Sequence, residues 1–349
     1  MIDEEKVKSL FEKVIAYSGI SMSMGMVYIG QKIGLFKAMA NAGPLTSEEI
    51  ASRSGTVERY VREWLINQVA SGFVEYDRES DKYLLPPEQA LILCDENSPY
   101  YVSGFYFAKA VLQSIDRVAK AFQEGGGVAW SEHDPDLFFA VEHSFRPFYE
   151  AHLTSAWIPA ATGLKQKLIA GGKIADIGCG RGASTFIMAK AYPNSKVFGF
   201  DYHEPSMTYA QKLAIRLGLG ERTEFAVAGS DNFPDGPYDL ITFCTSLHDM
   251  PDPIGSVKRA YQTLKDDGSV LIVEPMAGNS VEENCNPLGQ MFSAVSTLCC
   301  LSNSIAQGGS GLGAVATEKA IHDTLKAAGF TVFRRIGESP IHRVYEARK

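Results

Sequence analysis

The chain has 349 residues, 21% charged and 45% apolar, and its 41 acidic against 33 basic side chains leave a formal net charge of −8. That composition belongs to an ordinary globular protein with room for two domains, and the acidic balance argues against a nucleic-acid partner, which calls for a basic stripe. The six cysteines, Cys94, Cys179, Cys244, Cys285, Cys299 and Cys300, show neither a disulfide framework nor metal-ligand spacing, so free thiols and no metal are expected.

The acidic start MIDEEKVKSL does not resemble a signal peptide, and no apolar run approaches about 18 residues. A cytoplasmic protein without a membrane partner is expected. Residues 4–40 read as helical, with an apolar face through Leu10, Phe11, Val14, Ile15, Met22, Met26, Ile29, Ile33 and Phe36. The methionine-rich stretch SMSMGMVYIGQKIGLF carries few charges, and such a face is usually covered, which points to a homodimer.

Thr46 or Ser47 caps a short helix to about Ser54, and a second helix runs from Thr56 to about Ser71. Residues 73–76 and 82–85 then pair as a hairpin around DRESD, so residues 1–95 form a winged-helix domain. Its second helix offers Glu58, Arg59, Arg62 and Glu63, and its wing sets Asp77, Glu79 and Asp81 against Arg78 and Lys82. That balance gives little grip on phosphates.

Residues 96–170 read as a helical linker and lid, broken at residues 125–127 and restarted at Asp134-Pro135. The segment from Ser98 is rich in rings, among them Trp130, Phe138, Phe145, Phe148, Tyr149 and Trp157. Most belong in a core, and some would line a pocket for a flat apolar molecule. His133, His143 and His152 read as structural.

Residues 173–177 read as a buried strand, Gly178, Gly180 and Gly182 as a turn where side chains do not fit, and residues 183–191 as a helix. The apolar run VFGF then ends in Asp201, an acid placed to accept ribose hydroxyls. The spacing G-x-G-x-G alone does not exclude a dinucleotide. Asp176, before the first glycine, would repel a pyrophosphate but suits an ammonium or sulfonium ligand. At this point the chain resembles the class I S-adenosylmethionine (SAM)-dependent methyltransferases, with Asp176-Ile177-Gly178-Cys179-Gly180-Arg181-Gly182 as their first motif.

The resemblance implies a seven-stranded, Rossmann-like α/β sheet over residues 171–349, following the all-α winged-helix part. Further strands are expected over residues 223–228, 238–244, 269–274, 331–336 and 342–347, the last pair antiparallel. By the same resemblance Gly229, Ser230 and Asp231 surround the adenine, Met207 packs on it, and Tyr202 and Phe243 belong to the cofactor site. Phe145 and Tyr149, in FRPFYEAHLTSAW, would then cover the cofactor's methionine end.

His248 follows the strand ending at Cys244, with Asp249 next and a proline-rich turn after it. In plant-type O-methyltransferases, which this segment is similar to, a histidine so placed is the general base. An imidazole is mostly unprotonated at neutral pH and can take a phenolic proton. Two acids hold the ring in that family. Glu274 matches the first, whereas Ala316 stands at the second, with Glu318 two residues on. Transfer by proximity and desolvation, with His248 as a substrate ligand only, is the alternative. Residues 286–304 read as one apolar helix and residues 307–313 as a flexible loop.

The expectation is methyl transfer from SAM to a small, largely apolar, hydroxylated and aromatic acceptor. Nitrogen, sulfur or carbon acceptors, an NAD-type oxidoreductase, and a SAM-sensing winged-helix regulator are the rival readings.

Overall fold

In the computed structural model, which describes every residue except Asn97 and Pro99, the first helix is Glu4–Lys32 and not one element to residue 40. Gly34, at φ 79°, breaks it before a short Leu35–Met39 helix. The C-terminal part of the long helix packs tightly: a Cβ on Gly30 would lie 2.6 Å from Trp64 and 2.7 Å from Phe36. Its N-terminal part buries nothing, and Leu10, Phe11, Val14 and Ile15 are each more than half exposed. Pro99, within the segment read as helical from Ser98, lies outside the described residues.

The next elements follow from their caps. Thr46 accepts from the Glu49 amide while the Glu49 carboxylate accepts from the Thr46 amide, a reciprocal capping box that starts the Ser47–Ser54 helix. Gly55, at φ 66°, ends it. The Glu58–Ala70 helix follows, then β1 (Glu75–Asp77) pairs antiparallel with β2 (Lys82–Leu84). This is the expected winged helix. Arg62 is bonded through Nε and Nη2 to Glu58, and Arg59 pairs with Glu63, so the basic side chains of its second helix are largely neutralised.

The chain divides into two units, Met1–Lys109 and Ala110–Lys349. That division falls inside the segment read as a linker, whose later helices, including Asp136–His152, belong to the sheet-containing unit. The strands there are β3 (Lys173–Ile177), β4 (Lys196–Asp201), β5 (Thr223–Val227), β6 (Tyr238–Cys244), β7 (Leu264–Pro275), β8 (Val332–Glu338) and β9 (His342–Arg348).

The sheet order is β5-β4-β3-β6-β7-β9-β8. Strands β3 to β7 pair in parallel, and β9 runs antiparallel to both β7 and β8. Both faces are covered. Ile174, Leu240 and Leu271 enter one core, while Ala175, Ile241 and Ile272 enter the other. Full burial of such side chains contributes about 1.5–3 kcal/mol each, and it explains strands without polar alternation. Because the strand order reverses between β3 and β6, a crevice opens at their carboxyl ends.

Two elements differ from the sequence expectation. Strand β7 begins at Leu264, where Leu264 already pairs with Tyr238, and not at residue 269 as expected. The helix expected over residues 286–304 is two helices, Pro287–Val295 and Leu301–Ala306, joined by a π turn, Ser296–Cys300. A π turn inserts an extra residue per turn and re-aims side chains, often at functional sites.

Candidate functional site

The crevice is a cavity of about 260 Å³. Its floor is the glycine loop after β3. The amides of Gly178 and Cys179 donate to the Phe200 carbonyl, which ties the loop to the end of β4. Gly178 is at φ 68°, and a Cβ there would sit 2.7 Å from that of Ser246. The Gly180 amide donates to Asp201 Oδ2 at 2.9 Å, and the His203 amide donates to Oδ1 at 2.8 Å. Burial, with the charges of Asp176 and Asp249 adding to it, pushes the Asp201 carboxyl up to about 6 against the lowering effect of those two amides.

Asp176 does not face this space. It is fully buried beneath the loop, where Ser184 and Thr185 hydroxyls donate to Oδ2 at 2.6 Å each and the Thr242 hydroxyl donates to Oδ1 at 2.7 Å. Burial raises its pKa and the three hydroxyls oppose that. The side chain thereby joins β3 to β6 and to the start of the Ala183–Ala191 helix, whose N-terminal dipole favours a negative charge. Gly182 also points elsewhere: a Cβ on it would meet Phe186 at 2.9 Å and Phe225 at 3.0 Å. Met207 and Phe243 are buried in the two cores and do not line the cavity.

The remaining cofactor-site candidates do line it: Tyr202, Gly229, Ser230, Asp231, Phe145 and Tyr149. Tyr149 is bonded to Thr245 at 2.6 Å between hydroxyl oxygens. Thr245 has φ 56°, a rare conformation for a β-branched residue, and it sits on the cavity wall directly after β6.

Sequence reasoning missed several lining groups. Glu142 is almost wholly buried; its Oε2 accepts no hydrogen bond among the described residues and lies 3.3 Å from Arg181 Nη1. Burial raises the Glu142 pKa, and Arg181 and Arg146 oppose it. Arg181 in turn lies over the Tyr209 ring, 3.5 Å from its centroid. Asn303 Oδ1 collects three donors, from the Trp130 amide, Tyr202 Oη and Gln307 Nε2. The one available signal was polarity out of place, since Ser302, Asn303 and Ser304 interrupt an apolar helix.

At the far end, the 3-10 turn Leu247–Asp249 follows β6. His248 Nδ1 lies 2.5 Å from Glu274 Oε2, and Nε2 lies 3.4 Å from Asp249 Oδ1. His248 and Glu274 are both buried, at 2% and 1% exposure, and of the three only Asp249 lines the cavity. Burial disfavours a charged imidazole here, but the Glu274 and Asp249 carboxylates outweigh it and hold the ring's pKa well above its usual value. Glu318 is not near the ring; it accepts from Tyr345 Oη at 3.1 Å. Asp249, the chain neighbour of the histidine, supplies the second carboxylate.

Comparison with known proteins agrees with this architecture. Residues 21–95 match a family model described as a Rv2258c-like winged HTH domain, and residues 169–329 match one described as a methyltransferase domain. Nocamycin O-methyltransferase of Saccharothrix syringae is 31% identical over 172 residues, which are 47% of this chain and 60% of that protein. The match therefore spans less than two thirds of that relative. Human N-acetylserotonin methyltransferase, solved in complex with SAM, superposes with a TM-score of 0.69 at 22% identity over 97% of each chain. An O-methyltransferase family protein from Burkholderia thailandensis superposes with a TM-score of 0.71 at 15% identity, covering 97% of this chain and 98% of that one. At such identities the likeness establishes the fold. The chain is a winged helix-turn-helix domain joined to a methyltransferase domain of the class I fold.

Proposed function

We propose that the chain transfers a methyl group from SAM to a hydroxyl of a small, largely apolar acceptor. One observation carries this reading: the glycine loop, Asp201 and the Glu142–Arg181 pair open on one cavity that Asp249 also lines. The groups fit that cofactor. Asp201, already bonded to two backbone amides, has lone pairs left for a ribose diol. Glu142 and Arg181 place one charge of each sign where an amino-acid tail carries an ammonium and a carboxylate. A pyrophosphate would instead meet the carboxylates of Asp201 and Glu142.

When bound, the sulfonium supplies an activated methyl group, and the chain's own residues do the rest. Trp130, Phe138 and Phe145 wall the cavity with rings and exclude water. Asp249 receives the acceptor's proton, and His248, which the Glu274 and Asp249 carboxylates favour in its charged form, positions that carboxylate from behind. The O-methyltransferase chemistry printed for the Saccharothrix relative supports oxygen as the acceptor atom. The exposed apolar face of Glu4–Lys32 supports a homodimer formed through the N-terminal domain.

The test is calorimetric titration with S-adenosylhomocysteine, SAM and NAD, followed by a labelled-methyl screen over phenols, alcohols, amines and thiols. Binding of the two adenosyl ligands but not NAD, with label on a phenol or alcohol, is expected. His248→Ala should lower turnover by about 100-fold or more and leave adenosyl affinity nearly unchanged. An active His248→Ala protein sinks the proton role, and NAD binding sinks the cofactor.

A further inference from the structure

The groups placed to receive a proton are, by type and arrangement, also a cation site. Cys300, buried at the end of the π turn Ser296–Cys300, brings its thiol to the turn after β6. Its Sγ, one imidazole nitrogen of His248 and one carboxylate oxygen of Asp249 all lie within 4.8 Å of one another. Since Nδ1 of His248 is bonded to Glu274, the nitrogen left for a ligand is Nε2. Its 3.4 Å separation from Asp249 Oδ1 is close to the roughly 3.3 Å expected of nitrogen and oxygen ligands sharing one tetrahedral ion with bonds of about 2.0–2.1 Å. Asp249 Oδ1 accepts no hydrogen bond among the described residues, although it is nearly inaccessible to water.

The group behind the imidazole has the matching form. A metal-bound histidine usually donates its other N–H to a carboxylate that fixes ring and tautomer, and Glu274 stands in that place at 2.5 Å. The donor set of thiolate, imidazole and carboxylate selects a zinc-like ion over calcium or magnesium, which take oxygen ligands. We propose that His248, Asp249 and Cys300 bind one zinc-class divalent cation, with Glu274 positioning the imidazole and a fourth tetrahedral place left for a small ligand. Loading takes the proton from the Cys300 thiol and requires Nε2 of the imidazole to be free of its proton, so binding strengthens as pH rises. A hydroxyl entering the fourth place would be acidified by the ion. That use rests on the methyl-transfer reading, whereas ion binding does not.

The experiment titrates the chelator-stripped full chain with cobalt(II) alone and follows optical absorption. One ion per chain is expected, with a thiolate-to-cobalt charge-transfer band and intense four-coordinate ligand-field bands, both bleached by zinc. Cys300→Ser should abolish the charge-transfer band, and Cys285→Ser, which changes an exposed thiol, should keep it. Glu274→Gln should keep the band at about 10–100-fold weaker affinity. Should Cys300→Ser fail to fold by circular dichroism, Asp249→Asn takes its place, with weakened binding and altered ligand-field bands expected. The proposal is overturned by the lack of saturable micromolar binding in the unsubstituted chain, or by a band that survives in Cys300→Ser. S-adenosylhomocysteine titration of the same sample separates the two readings: a cobalt site without adenosyl binding refutes only the cofactor, and the reverse refutes only the cation site.

Discussion

Asp201→Asn is the perturbation that bears most directly on the cofactor. The wild-type carboxylate accepts from the Gly180 and His203 amides at 2.9 and 2.8 Å. An asparagine keeps one acceptor oxygen and turns an NH2 group toward the other amide, so one of these bonds becomes a donor–donor contact. Hydrogen bonds to a charged group contribute about 1.5–3 kcal/mol each. Losing one bond within the loop, and the charge on any bond to a ribose diol, amounts to about 3 kcal/mol, or roughly 100-fold in the dissociation constant. The pH dependence gives a second signature. The carboxyl titrates at about 6, well above its usual range, and a diol is better bound by the ionised form. Affinity is therefore full above about pH 7 and falls toward tenfold per pH unit below about pH 6. In the asparagine variant this limb is absent. Calorimetric titration with S-adenosylhomocysteine between about pH 5 and pH 8 measures both effects. A variant within threefold of wild type at the alkaline end, or one that keeps the acid limb, refutes the assignment of Asp201 to the ligand.

Gly178→Ala places a Cβ 2.7 Å from that of Ser246 at a backbone of φ 68°. It should cost about 2–3 kcal/mol in urea unfolding and weaken adenosyl binding, and unchanged values for both would show that the loop has other room. Replacing exposed Phe11 and Val14 together with aspartate should convert a dimer to a monomer in sedimentation analysis without lowering the secondary-structure signal; an unchanged mass refutes the interface. His342 is buried among Phe145, Phe148, Tyr149 and Trp157, and burial lowers its pKa to about 3, with the charge of His152 adding to the shift. The native ring stays neutral where the unfolded chain takes up a proton, so stability falls as pH drops from about 6.5 toward 3, by more than about 1 kcal/mol per unit. His342→Phe should flatten that acid limb in urea midpoints measured against pH, and an identical slope would remove the residue from the account.

The strand, glycine turn, helix and acid from residue 173 to residue 201 were legible because each is a local matter. A five-residue apolar run, positive-φ glycines and a helix start can be read over a short window, and the structure has β3, the Ala183–Ala191 helix and β4 where that window puts them. The caps of the winged helix were legible for the same reason, since Thr46 and Glu49 satisfy each other within one turn. The break at Gly34 was not, because a lone glycine in an apolar run does not show whether the backbone takes positive φ; the turn there brings the Phe36 ring onto Trp64, a residue far along the chain.

What a side chain faces was decided only in three dimensions. Asp176 read as a ligand for a positive charge, yet its oxygens are taken by hydroxyls from the following helix and from β6, and no local pattern reports that β6 lies beside β3. Glu142 and Arg181 come from separate elements, and neither signals the other in sequence. The resemblance leaves Ala316 where a second carboxylate on the ring is expected, but the turn after β6 folds back to present Asp249. Cys300 reaches the same place through a π turn that a helical period cannot announce. Local pattern therefore determined the elements and their order, because hydrogen bonding and capping act within a few residues. Packing between distant segments decided which groups share the cavity, because burial and partner choice depend on neighbours the chain brings together only when folded.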